Sequence, residues 1–213
     1  MKKLFIVGAG SGSREILLLV QRINQAAPQW EVAGFIDDDP KLAGTEVDGV
    51  KVYGRDNPFR GPEYHGVCGV QEPTTRARLL ASYVEERGCT LPTLIAPDTV
   101  LPHDFAAGPG TVIMPGATIS FDVRLGKGVL VLWRATLGHH LRVGDYSTIL
   151  TGALIAGLCA IGSRSTIGAG ALLNIKVKVG DDALVGVGTT VLKNVPDGQR
   201  VVGMPRLMTL GEG

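Results

Sequence analysis

Two histidines stand side by side at positions 139 and 140, in TLGHHLRVG, a run that is otherwise mostly aliphatic or glycine. The 213-residue chain has only four histidines, so half of its imidazole is placed at one point. Imidazole serves near neutral pH as a general base, taking a proton from an attacking amine or hydroxyl. A pair of solvated corner residues is the competing reading. Asp122 lies 18 residues before His140 and His103 lies 36 before His139, intervals that matter only if the fold repeats with that period. A second group of candidates sits near the start. In KLFIVGAGSGSREILLLV, Gly8 and Gly10 fit a GxGxxG turn, with Ser13 where the third glycine belongs, and FIDDD ends a later segment on Asp37-Asp38-Asp39. Glycines that let backbone amides approach a pyrophosphate, followed by an acid at a strand tip, suit a nucleotide. A tight turn that binds nothing competes with that reading.

The elements that must position these residues follow from a repeat. From Leu94 to Val195 the sequence divides without insertion into hexads such as RLGKGV, TLGHHL, RVGDYS, TILTGA and TIGAGA. The second residue of each is Ile, Leu or Val, except Ala107. Neither a helical nor a simple strand period gives this pattern. A hexad reads as one flat strand plus one corner, with the second residue inward and glycine allowing the corner dihedrals. Three hexads close a triangular coil of 18 residues, and stacked coils pair as parallel ladders. A β-sandwich with regular turns would not hold this phase over the whole run. The expectation is a parallel β-helix whose inner stack contains Ile113, Val131, Ile149, Ile167 and Val185. In that register Asp122 stacks under His140, Phe121 under His139, at the ~4.8 Å strand spacing. Asp122 is therefore expected to act through or beside His140.

Ahead of the repeat, KLFIV reads as a buried strand, REILLLVQRINQA as an amphipathic helix, EVAGFI as a second strand and TTRARLLASYVEERG as another helix. This is a Rossmann-like βαβ pattern. The expected division is a nucleotide-binding domain over residues 1–90 and a β-helix domain over 91–213. Lysine and arginine number 21 against 20 acidic residues, so no basic field points to nucleic acid or an anionic membrane. Three cysteines without metal-type spacing read as reduced thiols. The first apolar run stops at Gly8 and nothing approaches a membrane span, which leads to a cytoplasmic expectation.

Taken together, these segments resemble the bacterial hexapeptide-repeat sugar acyltransferases, which include nucleotide-amino-sugar N-acetyltransferases and sialic acid O-acetyltransferases. GAGSGSRE is similar to the family's Gly-Ala-Gly-Gly-His-Gly-Arg-Glu start, FIDDD to its acidic pair, and GHHLRVGDYST to its Gly-His-Asp/Glu active-site stretch. NVPDGQRVVGMPR is similar to its C-terminal closure, with Met204 and Arg206 in place of asparagine and alanine. The resemblance implies a left-handed β-helix, a homotrimer with acetyl-CoA bound between neighbouring helices, and His139 as general base. It puts Thr148 where relatives often have a histidine contacting acetyl-CoA, and Ala169 and Val187 on backbone positions lining the CoA groove. It puts Gly12, Ser13, Arg14, Asp37, Asp38 and Gly69 on the nucleotide-sugar site. Two departures stand out: His140 replaces a carboxylate, and Thr148 replaces a histidine.

The implied reaction is direct acetyl transfer from acetyl-CoA to an amino or hydroxyl group of a sugar, with no Ser–His or Cys–His pairing for a covalent intermediate and no metal. The nucleotide, the sugar, N- against O-transfer and the length of the acyl group stay open. Alternatives are a non-catalytic nucleotide-sensing or structural trimer, a dinucleotide oxidoreductase, and a γ-type carbonic anhydrase. The last needs a third ligand where this chain has Gly144.

Overall fold

The computed structural model describes residues 1–203; Met204 and Arg206 lie outside them. In the N-terminal unit, β1 (Lys2–Val7), β2 (Trp30–Ile36), β3 (Glu46–Val47), β4 (Val50–Tyr53) and β5 (Tyr64–Cys68) form one sheet in the order β3-β4-β2-β1-β5. Only the β3–β4 pair is antiparallel. Helix α1 (Ser11–Ala26) buries Ile16, Leu19, Val20 and Ile23, an i, i+3, i+4, i+7 stripe, against one face of this sheet. Helix α2 (Pro73–Leu80), followed by a π-helical turn at Ala81–Glu85, covers the other face with Leu79, Leu80, Tyr83 and Val84. Glu72 caps α2, accepting from the Thr74 and Thr75 amides at 3.0 and 2.7 Å.

The repeat folds as a left-handed parallel β-helix. Two-residue strands recur every six residues and pair with a shift of 18, as in Arg124↔Arg142 and Ile149↔Ile167. Three ladders result. Face 1 runs from Leu94–Ile95 through Val112–Ile113 and Thr148–Ile149 to Arg200–Val201; face 2 runs from Thr118–Ile119 through Thr136–Leu137 to Thr190–Val191. Face 3 runs from Ala106–Ala107 through Arg142–Val143 to Lys178–Val179. The inner stack is as the hexads require: Ile113, Val131, Ile149, Ile167 and Val185 are each 0% exposed. Two details differ. Leu101, expected inward, is 39% exposed and lies outside the named strands, because the first coil is only partly paired. Glycine is also not the general corner residue: Asp122, His140, Leu158 and Lys176, spaced by 18, all hold φ between 51° and 64°. These corners accept the cost of a left-handed side-chain-bearing residue, and the ladder hydrogen bonds on both sides hold them there.

The two units share one core. Val112, Met114, Leu130 and Leu132, on the outer side of face 1, pack with Ile16, Leu19 and Val20 of α1 and with Leu4 and Ile6 of the sheet. Cys68, Cys89 and Cys159 are buried and unpaired. No helix among the described residues is long and apolar enough to cross a membrane.

Candidate active site

His139 and His140 occupy the corner between face 2 (Thr136–Leu137) and face 3 (Arg142–Val143). Their Nδ1 atoms are 2.9 Å apart. Such a contact needs one protonated and one bare nitrogen, so two imidazolium rings cannot share it. If His139 donates from Nδ1, its Nε2 carries the lone pair and is free to act as a base. The rings cross at 87°. One coil below, Phe121 stacks on the His139 ring at 5.3 Å with an interplanar angle of 8°. One coil above lies Gly157, where a Cβ would stand 2.4 Å from Nε2 of His139. The ring thus fits a slot that exists because residue 157 has no side chain. The Gly157 N–H makes no hydrogen bond among the described residues.

Asp122 is in the expected stack but in a different role. Its carboxylate accepts two bonds from Nη2 of Arg142, both 2.9 Å, and lies 3.7 Å from Nε of Arg124. Nε2 of His140 is 3.9 Å away, beyond a hydrogen bond. The Arg142 guanidinium holds the Asp122 carboxyl below the usual range, so its charge is spent on arginine. His140, rather than Asp122, supplies the direct partner of His139.

The expected nucleotide residues divide as well. Gly12, Ser13, Asp37 and Gly69 line one cleft of about 420 Å³ at the start of α1, with Gly10 and Gln71. Asp37 accepts from the Ala9 and Asp39 amides at 2.8 and 2.9 Å. A Cβ on Gly12 would stand 2.3 Å from the Gly69 carbonyl oxygen, and one on Gly69 would stand 2.4 Å from Ser13. This explains how serine can replace the third glycine of the motif: the residue facing it is itself glycine. Arg14 is not among the cleft residues. It forms an exposed pair with Asp48, at 2.7 and 2.9 Å. Asp38 is also taken up, accepting from Tyr83 of the π-helical turn and from Arg55 at 3.1 and 3.3 Å. Burial would raise its pKa, but the Tyr83 and Arg55 bonds outweigh burial and leave the carboxyl below its usual range. The Tyr83 phenol is pushed up to about 12 by burial and by Asp38.

The expected donor residues lie elsewhere. Ala169 and Val187 stack one coil apart on the edge between faces 1 and 2, with Val187 73% exposed. Thr148 has no exposed surface, and its hydroxyl donates to the Gln71 carbonyl at 2.7 Å. Its side chain therefore has no free atom for a CoA contact. In a triangular prism the edge carrying His139 is opposite face 1, where the N-terminal unit packs. The body of the β-helix thus separates the cleft at Gly12 from the same chain's His139. No group of three or more His, Cys, Asp or Glu side chains able to hold a metal occurs among the described residues. Reasoning from sequence left out Gly157, although its place 18 residues after His139 was a usable signal. It also left out Arg76, for which no local signal exists.

Residues 3–83 match the PglD N-terminal domain family. Among solved structures, the chain is similar to the acetyltransferase domain of PglB from Neisseria gonorrhoeae FA1090, in complex with acetyl coenzyme A. The two are 27% identical, with a TM-score of 0.83 over 95% of this chain and 96% of that one. WeeI from Acinetobacter baumannii AYE gives 26% identity and a TM-score of 0.84, over 94% and 96%. PerB from Caulobacter crescentus, in complex with CoA and GDP-perosamine, gives 23% and 0.82, over 95% of both chains. No curated protein sequence matches the chain.

Proposed function

We propose that this chain, a PglD-type N-terminal domain followed by an acetyltransferase-type β-helix, transfers an acetyl group from acetyl-CoA to an amino or hydroxyl group of a nucleotide-linked sugar. The observation that carries the reading is His139. Its ring is held between Phe121 and the side-chain-free backbone of Gly157, with His140 bonded at Nδ1 and Nε2 left without a partner among the described residues. The acceptor's nitrogen or oxygen attacks the thioester carbonyl while Nε2 of His139 takes its proton. The tetrahedral oxyanion receives the unpaired Gly157 N–H. Collapse breaks the carbon–sulfur bond, and the CoA thiolate leaves and takes up a proton.

The acceptor belongs in the cleft at the start of α1, where the first-turn amides suit a diphosphate and Asp37 borders the cleft. Residues 1–90 thus serve the acceptor and the β-helix from residue 91 serves the donor. Because the β-helix separates that cleft from its own His139, the working site combines the cleft of one chain with the His139 edge of another. A homotrimer, the usual cyclic closure for three prisms, supplies this. Face 2 and its edges carry exposed Leu154, Leu158, Leu172 and Ile175, an apolar surface suited to a neighbouring prism. Acetyl-CoA would lie in the groove there, along Ala169 and Val187. Three buried, unpaired thiols favour a reducing compartment, the cytoplasm.

The test is thiol release from acetyl-CoA against UDP-, GDP- and CMP-linked amino sugars and sialic acid. Release with at least one sugar nucleotide, coupled to an acetylated product, is the expected result. No release with any of them would favour the non-catalytic trimer.

A further inference from the structure

We propose that Thr148 and Arg76 are positioning residues for the acceptor, fixing the Gly69–Gln71 lip of the N-terminal cleft on the β-helix so that Gln71 is presented to the bound sugar nucleotide. This rests on the acceptor occupying that cleft. Arg76, on α2, is 0% exposed, and all five of its N–H groups are used on carbonyl oxygens. Three belong to the β-helix: Nε donates to Gly128 at 3.0 Å, and Nη2 donates to Tyr146 and, at 3.2 Å, to Ser147. Two belong to the lip, where Nη1 donates to Val70 and Gln71, each at 2.9 Å. Burial lowers the guanidinium pKa to about 10, which leaves it charged at neutral pH. Lysine, with three donors, could not fill this set.

Thr148 adds the second hold on the same peptide, its hydroxyl donating to the Gln71 carbonyl at 2.7 Å from a strand of face 1. The Gln71 carbonyl is thus held from α2 and from the β-helix at once, while its side chain stays exposed along the cleft. The lip cannot shift without changing the cleft, because the Gly69 carbonyl already touches the first turn of α1 at Gly12. Thr148 is then an acceptor-side residue, not the donor contact that the family resemblance implies. The two assignments predict opposite effects on the two substrates.

Thr148→Val keeps the shape and removes the donor, while Arg76 still satisfies the Gln71 carbonyl, so the variant should fold. By calorimetry, its Kd for UDP- or GDP-linked amino sugars should rise about fivefold to tenfold, the effect of one lost hydrogen bond. Its Kd for acetyl-CoA should stay within about twofold, and Thr148→Ser should restore wild-type acceptor binding. A weakened acetyl-CoA Kd with unmoved acceptor Kd would overturn the proposal in favour of a donor contact. Hydrogen exchange of the wild-type protein with the sugar nucleotide separates the two ways to fail. No protection at Ser11–Ser13 would sink the acceptor-cleft reading itself. Protection there, with acceptor Kd unchanged in Thr148→Val, would overturn only the positioning role.

Discussion

Replacing His139 with asparagine is expected to lower kcat for acetyl transfer by about 10²–10⁴-fold, the usual contribution of a positioned general base. Asparagine can still offer a polar atom to Nδ1 of His140, so the corner should persist. What disappears is the basic Nε2 nitrogen of the ring packed against Gly157. Because proton removal is needed only as the bond forms, kcat and kcat/KM should fall together and KM for acetyl-CoA should barely move. Steady-state thiol release checks this. Full activity in the variant would return His139 to a solvated corner residue.

Gly157→Ala should be nearly as damaging, by about 10²-fold, although it removes no functional group. The added Cβ would stand 2.4 Å from Nε2 and 2.5 Å from Cε1 of His139. The ring must leave its slot, since Phe121 stacks on its other face and the ladder holds the backbone. Thermal stability should change little. The distinguishing result is non-additivity: Gly157→Ala in the His139→Asn background should cost almost nothing more, because both changes disable one group. Additive losses would mean that Gly157 acts apart from His139.

The repeat was readable because a coil imposes its period on the sequence: aliphatic residues at the second hexad position map onto a stack of fully buried side chains. The same period placed Asp122 and Phe121 beside the histidines. Periodicity does not report competition for a charge, so the capture of Asp122 by Arg142, two residues beyond His140, was not legible. Nor did the glycine motif reveal that Arg14 would pair with Asp48, or that Asp38 would be held by Tyr83 and Arg55. These contacts join residues 17 to 45 positions apart. Thr148 reads as an ordinary outward strand residue until the N-terminal unit is packed over it. Arg76 lies in a helix whose pattern gives no hint of a fully buried cation.

An acceptor held by one chain is expected to be acetylated at the His139 of another, which mixed trimers can test. One partner is His139→Asn. The other is Gly10→Asp, at a position where a Cβ meets nothing within 4 Å. There aspartate would cap α1 and place negative charge where the acceptor's diphosphate should sit. Either variant alone should retain no more than about a hundredth of wild-type turnover. Random co-assembly in equal amounts should recover about a quarter of wild-type activity, since half of the clefts are intact and half of the histidines they meet are present. Isolated mixed trimers that remain inactive would mean that the cleft and His139 do not act across two chains.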